Sequence, residues 1–224
     1  MYLYNKMYVT ANTKLVSLAI SCGVLTFISN IVRYFGRKTE TKLFNEWDGV
    51  PTTRWLRHRD HTLDPYTKDR YRAFLTSNIP ELILPTANEE REKPIISDYI
   101  YNSAITWLRE HTRDQKKFPL IFEENISYGF RRNMLAIKPL AILVILLSQC
   151  ILLIYAFSLH ESFSSVMEKM SIPMSISVVA QVFWILIVSP EWVKDASESY
   201  AQRLLAGCDK LIRLDSKKES LLQH

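Results

Sequence analysis

An uncharged run from Pro139 to Phe157 constrains this chain more than any other feature of its sequence. It contains 19 residues, and a transmembrane helix needs about 20 apolar residues to cross about 30 Å of hydrocarbon. A buried helix of a soluble protein is rarely apolar on every side over such a length. The run therefore predicts a transmembrane helix, which we assign to residues 133–157.

Two further uncharged segments predict additional spans. Ile172–Val188 lies close enough to the first run to form a helical hairpin with it, and Trp184 lies near its end, as is typical of a membrane interface. Leu15–Val32 is also uncharged but contains several serines, a threonine and an asparagine. Because Arg33 follows it without a small-residue cleavage site, we interpret it as a span and not as a signal peptide.

The positions of Lys and Arg predict the orientation of these spans. Cations concentrate between the first and second spans and after the third, which places those regions in the cytoplasm. The predicted fold is a mainly α-helical membrane protein with three transmembrane helices, a helical cytoplasmic domain inserted between the first and second, and a C-terminal cytoplasmic helix. The predicted order is an external N-terminus (1–14), a span (15–32), the cytoplasmic domain (33–132), a span (133–157), an external turn (158–171), a span (172–190) and the cytoplasmic helix (191–224).

Capping residues and prolines predict where the helices of the soluble region begin. These starts are Thr52 or Thr53, Asp64–Pro65, Ser97–Asp98 and Phe118–Pro119. The last of these helices is expected to continue through Tyr128 into the second span, where it would transmit movement of the domain to the membrane. Leucines at 204, 205, 211 and 214 with Ile212 form an apolar stripe near the C-terminus, which is typical of a packing seam.

The stretch TRWLRHRDHTLDP (residues 53–65) contains parts of a kinase motif and of a metal-ligand pattern, and both are incomplete. The kinase motif H-R-D requires an asparagine five residues after the aspartate, where this chain has Pro65, and no glycine-rich phosphate loop accompanies it. His58, Asp60 and His61 lack further ligands at a recognisable spacing for zinc. We therefore expect no enzymatic activity, metal or cofactor.

The same stretch opens a basic and aromatic segment, Arg54 to Arg72, with six Lys or Arg against three Asp. Guanidinium groups grip phosphates and aromatic faces stack on bases, so the segment predicts binding of a short or single-stranded oligonucleotide. The candidate ligand-binding residues are Arg54, Trp55, Arg57, His58, Arg59, His61, Lys68, Arg70, Tyr71 and Arg72. Two alternatives stay open: a solvated face whose charges pair with Asp60, Asp64 and Asp69, and contact with lipid headgroups.

Four uncharged polar residues lie within the predicted spans, namely Asn30, Ser148, Gln149 and Gln181. Polar groups in a membrane either line a path for ions or bond between helices. Three spans cannot enclose a wide pore alone, so conduction would require a symmetric homo-oligomer, with a tetramer as one candidate.

Three strings, DGVPTTRWLRHRD, DPYTKDRYRAFL and YGFRRNMLAIKP, resemble the membrane effectors of Hailong-type anti-phage defence. The resemblance covers the middle domain and the second span. It implies an oligomeric ion channel of the bacterial inner membrane whose cytoplasmic domain binds an oligodeoxyadenylate made by a partner nucleotidyltransferase. The ligand would hold the pore shut, and its loss would open it. The alternative is a non-conducting anchor or scaffold for a partner protein.

Overall fold

The computed structural model describes residues 2–158 and 163–222, with side-chain surroundings for residues 21–158 and 164–217. Within these segments the chain is helical and has no strand. The helices are α1 (Tyr2–Glu46), α2 (Pro51–Arg54), α3 (Pro65–Asn78), α4 (Ala87–Glu92), α5 (Pro94–His111), α6 (Pro119–Ser158), α7 (Phe163–Leu186) and α8 (Pro190–Leu222).

Two of these helices, α6 and α7, are long and apolar enough to cross a membrane. Their most apolar segments bury none of their residues inside the chain. Large side chains such as Leu147, Ile154 and Val179 are exposed on them. Burying one such side chain stabilises a protein by about 1.5–3 kcal/mol, so a pair of bare apolar helices indicates association with a membrane.

The predicted first span, residues 15–32, lies inside α1 and is helical. From residue 21 onward its large apolar side chains, including Leu25 and Phe27, are exposed. The side chains of residues 15–20 lie outside those the structure describes. The span at residues 15–32 therefore stays a prediction.

Helix α7 begins at Phe163, inside the predicted external turn 158–171. Glu168 and Lys169 precede the uncharged run 172–188, but both are good helix formers, so the helix extends through them. The remainder of the turn, 159–162, lies outside the described residues.

The soluble domain is built around one core shared by α2, α3, α5 and α8. Leu75, Tyr101 and Leu108 are fully buried in it, and so are Leu204 and Leu205 of the predicted C-terminal stripe. Leu211 packs against the same core, whereas Ile212 is exposed. The first part of the stripe is therefore a packing seam within the chain, and α8 is part of the domain and not a separate tail.

Two of the predicted helix starts are confirmed. Asp64 caps α3, since its Oδ1 accepts a hydrogen bond from the Thr67 amide at 2.9 Å. Helix α6 begins at Pro119 and continues through Tyr128 to Ser158 without interruption.

The other two predicted helix starts are wrong, because each of these helices begins at a proline and not after a hydroxyl cap. Helix α2 begins at Pro51 with Val50 as its N-cap, and the side chains of Thr52 and Thr53 are buried. Helix α5 begins at Pro94, before Ser97. Proline has the backbone angle of a first helical residue and lacks the amide hydrogen that would be left unpaired there.

A second, smaller core joins the soluble domain to the spans. Leu43 of α1, Tyr128 of α6, and Val193 and Ala196 of α8 form it. Below it, α1 and α6 approach so closely that a Cβ on Gly36 would lie 2.0 Å from Asn133 Oδ1. A larger residue at position 36 would therefore require the Asn133 side chain to move, and the two helices lie side by side at this point.

Matched isoleucines test the domain core. Ile105 is fully buried, whereas Ile83 is 79% exposed in a loop. We expect Ile105→Ala to lower the free energy of unfolding by about 2–5 kcal/mol, because it removes buried methyl groups and leaves a cavity. Ile83→Ala should change it by less than about 0.5 kcal/mol. Urea unfolding of the full chain in detergent, followed by tryptophan fluorescence, measures both, and equal effects would contradict the assigned core.

Candidate functional site

Arg57, at the centre of the predicted ligand-binding segment, is only 3% exposed. Its Nε and Nη2 donate to the two carboxylate oxygens of Asp98 at 2.8 and 2.7 Å. Its Nη1 donates to the carbonyl and carboxylate of Asp48 at 2.8 and 2.7 Å. Asp48 and Gly49 have φ of 58° and 112°, so Arg57 holds a turn in the left-handed region between α1 and α2. Its guanidinium has no face left for a ligand.

Glu90 holds the loop that follows Arg57. Its carboxylate accepts from the backbone amides of His58 and Arg59 at 2.8 and 3.3 Å, and from the Tyr101 hydroxyl at 2.7 Å. Burial by itself raises the pKa of Glu90, but these hydrogen bonds outweigh it, and the pKa lies below its usual value. The carboxylate therefore stays ionised inside the domain.

Lys68 and Arg72 of α3 bind backbone oxygens of the same loop. Lys68 Nζ donates to the carbonyls of Arg57 and Asp60. Arg72 Nη1 donates to the Leu56 carbonyl at 2.7 Å and to the Tyr101 hydroxyl at 3.0 Å. Both cations therefore fix the loop to α3.

Two further cations of the segment, Arg54 and Arg70, bind α8. Arg54 Nη2 donates to Glu198 at 3.2 Å. Arg70 Nε donates to Asp209 Oδ1 at 2.8 Å, and the Tyr71 hydroxyl donates to Asp209 Oδ2 at 3.1 Å. These bonds attach α2 and α3 to α8 and not to an external anion.

Burial divides the ten predicted ligand-binding residues. Trp55, Arg57, Lys68 and Tyr71 are each at most 7% exposed, so their rings and charges cannot reach a base or a phosphate, and we no longer assign them to a ligand surface. Arg54 and Arg72 are half-buried and paired as described. His58, Arg59, His61 and Arg70 are exposed, and their predicted role stays a prediction.

The structural role of Arg57 is testable against its neighbour Arg59. We expect Arg57→Ala to lower the free energy of unfolding by about 3 kcal/mol, because Asp98 and the 47–50 turn lose their partner. Arg59 is exposed and approaches Asp48 at only 3.5 Å, so Arg59→Ala should cost less than about 0.5 kcal/mol. Urea unfolding measures both. A stable Arg57→Ala protein would show that the buried ion pairs do not hold the domain.

The polar residues of the predicted spans have different surroundings. Gln149 Nε2 of α6 donates to Gln181 Oε1 of α7 at 3.1 Å. The Ser148 hydroxyl donates to the Ile145 carbonyl of its own helix at 2.7 Å. Asn30 is exposed on α1 and makes no hydrogen bond with the described residues. Gln149 and Gln181 therefore bond between the two helices of the hairpin.

A cleft of about 790 Å³ lies where the soluble domain meets the membrane-proximal ends of α1, α6 and α8. This volume is within the range of small-molecule sites, about 300–1,000 Å³. Phe44, Phe118 and Phe122 supply apolar wall, while Asn102 and Asn125 supply amides. A concave surface of this composition can hold a ligand that has both a polar and an apolar part.

Cations outnumber anions in this junctional cleft. Its charged lining residues are Arg33, Arg109, Arg113 and Arg132 with Glu40 and Glu110. Arg113 pairs with Glu110 at 3.4 Å, and Arg132 pairs with Glu40 at 3.0 Å. Arg109 lies near the Tyr200 hydroxyl and has no described carboxylate partner. Arg33 makes no ion pair or hydrogen bond within the part of the chain described here. Two guanidinium charges are thus left for an anion.

The floor of the cleft is a contact between α1 and α6. Glu40 Oε1 accepts from the Tyr128 hydroxyl at 2.6 Å and from Arg132 Nη1 at 3.0 Å. The Arg132 guanidinium also lies over the Tyr128 ring, 5.6 Å from its centroid. Arg132 Nε and Thr52 Oγ1, in the cleft wall, are buried and have no hydrogen-bond partner. A buried donor or acceptor without a partner costs about 1–3 kcal/mol, so the cleft has unused bonding capacity.

Sequence reasoning missed this cleft because its cations come from separate elements. Arg33, Arg109 and Arg132 lie on α1, α5 and α6, far apart in the sequence. Arg132 belongs to the basic cluster that precedes the uncharged run of α6. The only usable signal was the predicted continuation of α6 from the domain into the membrane, which places one wall.

Comparisons of the chain with protein-family models, curated proteins and solved structures find no match. In the described segments, no group of three or more His, Cys, Asp or Glu side chains is arranged to hold a metal ion.

Proposed function

We propose that this protein is a membrane effector, a homo-oligomeric ion channel of the bacterial inner membrane that a nucleotide-type anion bound to its cytoplasmic side controls. One observation carries the proposal. Helix α6 supplies the wall of the junctional cleft at Phe122, Asn125 and Arg132 and then continues, as one helix, into the apolar segment. Pro139 removes one backbone hydrogen bond at the start of the apolar segment, but the helix continues through it at about 1.5 Å per residue, so displacement at the cleft reaches the membrane segment.

The orientation and the third span belong to this proposal. In it, the soluble domain and α8 face the cytoplasm, because the lysines and arginines flanking the spans lie at that end. Helix α1 contains the span at residues 15–32, and its exposed apolar side chains supply surface for lipid or for a second copy. The three membrane helices of one chain are too few to enclose a pore, so a ring of copies is needed.

The resemblance to Hailong-type effectors names the ligand to try first. An oligodeoxyadenylate made by a nucleotidyltransferase would keep the channel shut, and its removal during phage infection would open it. The cleft supports this choice through its uncompensated guanidinium charges and aromatic wall, which suit phosphates and bases respectively.

Ion flux tests the channel. Full-length protein reconstituted in liposomes should release potassium, and addition of oligodeoxyadenylate should reduce the release several-fold because the ligand holds α6 in one position. Ala136 lies between the cleft wall and the uncharged run. Its replacement by glycine, Ala136→Gly, weakens the helix by about 1 kcal/mol without changing the charge. It should blunt the response to ligand while leaving ligand-free flux intact. Absence of flux under every ligand condition would end the channel proposal.

A specific contact favours a second candidate, the non-conducting anchor. Gln149 and Gln181 satisfy each other within one chain, as in a hairpin whose only task is to hold the domain at the membrane. An anchor predicts that Gln149→Leu and Gln181→Leu leave all function intact and that a pull-down recovers a stable partner protein. A channel with these residues at its helix contacts predicts altered flux in both variants, and the same liposomes measure this difference.

A further inference from the structure

The junctional cleft contains an anion already, because the Glu40 carboxylate occupies its floor between Tyr128 and Arg132. We infer that the cleft binds a phosphate ester, with Arg33 and Arg109 as its free cationic contacts, and that the bound phosphate competes with Glu40 for Arg132. The inference deepens the proposed function by locating its ligand site, and it rests on that proposal only for the consequence of binding.

Charge is the first argument. The lining holds four arginines and two glutamates, and each glutamate is already paired with an arginine. Arg33 and Arg109 therefore face the cleft with no carboxylate of the described residues to neutralise them. Arginine is the side chain best suited to phosphate, because its planar group presents several donors in a fixed fork.

Position is the second argument. Arg33 lies on α1 and Arg109 lies on α5, so one ligand contacting both would join the membrane-proximal helices to the soluble domain. Arg59, an exposed cation of the predicted segment, does not line this cleft. The cleft also contains the aromatic surface that a phosphate alone would not need.

Competition with Glu40 is the third argument. The Glu40–Arg132 pair connects α1 to α6, with both side chains largely shielded from water at 22% and 14% exposure. A phosphate that draws Arg132 toward itself weakens this connection, whereas its departure restores it. The exchange gives the ligand different contacts in two arrangements of α1 and α6, which a population shift requires.

Direct binding tests the inference without reference to flux. The full chain in a non-ionic detergent is titrated against a fluorescein-labelled, 5′-phosphorylated oligodeoxyadenylate of about six nucleotides. Arg33→Gln and Arg109→Gln should each weaken binding about ten- to a hundred-fold, because each removes a charged hydrogen bond. The double variant should also lower the dependence of affinity on salt, by roughly 0.7 in log–log slope per lost contact. Glu40→Gln keeps the bonds to Tyr128 and Arg132 but removes the competing charge, so it should tighten binding several-fold.

Controls separate this site from the predicted basic segment and from surface charge in general. Arg213→Gln removes an equally exposed arginine of α8 outside the cleft and should leave affinity unchanged. Arg59→Gln examines the predicted segment and should also have no effect. Circular dichroism and gel filtration check that each variant folds. Loss of affinity in Arg59→Gln with normal affinity in the cleft variants would overturn the inference, as would failure of every phosphate probe to bind.

A second arm identifies the source of the phosphate. Mixed micelles with phosphatidylglycerol replace the oligonucleotide as the probe, and competition between the two shows whether they share the cleft. Competition that the cleft variants abolish supports the site with lipid as an additional or principal ligand. Normal cleft binding combined with no flux in liposomes would refute the channel and leave the site standing, so the two failures are distinguishable.

Discussion

The two halves of α6 require different surroundings, and the arrangement of the other helices depends on this constraint. Residues 139–157 carry no charge, whereas residues 119–132 include Glu123, Glu124 and Arg131. One helix contains both halves, although Pro139 at the start of the uncharged run removes one of its backbone hydrogen bonds. Helices α1 and α8 pack against the charged half through Leu43, Tyr128 and Val193, so the helical domain is held beside the start of the apolar segment.

The end of the hairpin shows how the chain satisfies polar groups at this boundary. Lys138 Nζ donates to the carbonyls of Ile185 and Val188, at 3.1 and 2.7 Å, where α7 ends. The last carbonyls of a helix have no partner within it, and a cation there also interacts favourably with the helix dipole. Arg131 likewise binds the Trp192 carbonyl and Asp195 at the start of α8. The basic residues that precede the uncharged run of α6 thus connect α6 to the end of α7 and the start of α8.

The basic and aromatic segment illustrates why composition misjudges a site. A run of arginines beside aromatic residues predicts a nucleic-acid surface, yet here Arg54, Arg57 and Arg70 neutralise acids on α5 and α8. Their partners Glu198, Asp98 and Asp209 lie far away in the sequence, and Asp60 and Asp64 are engaged locally. The opposite holds for Arg33 and Arg109 of the cleft, which lie far apart in the sequence and have no carboxylate partner among the described residues. Which charge remains free is a property of the folded structure.

By itself, the sequence determined the apolar hairpin, the cap at Asp64 and the continuation of α6 into its apolar segment. These features depend on residues near one another in the chain, through hydrocarbon thickness, helix capping and helix propagation. Only the tertiary structure decided that α8 completes the domain core, that Arg57 is buried and that Arg33 and Arg109 line one cleft. Each of these facts pairs residues from distant helices, and the charge or surface left free after such pairing is not encoded in any local pattern.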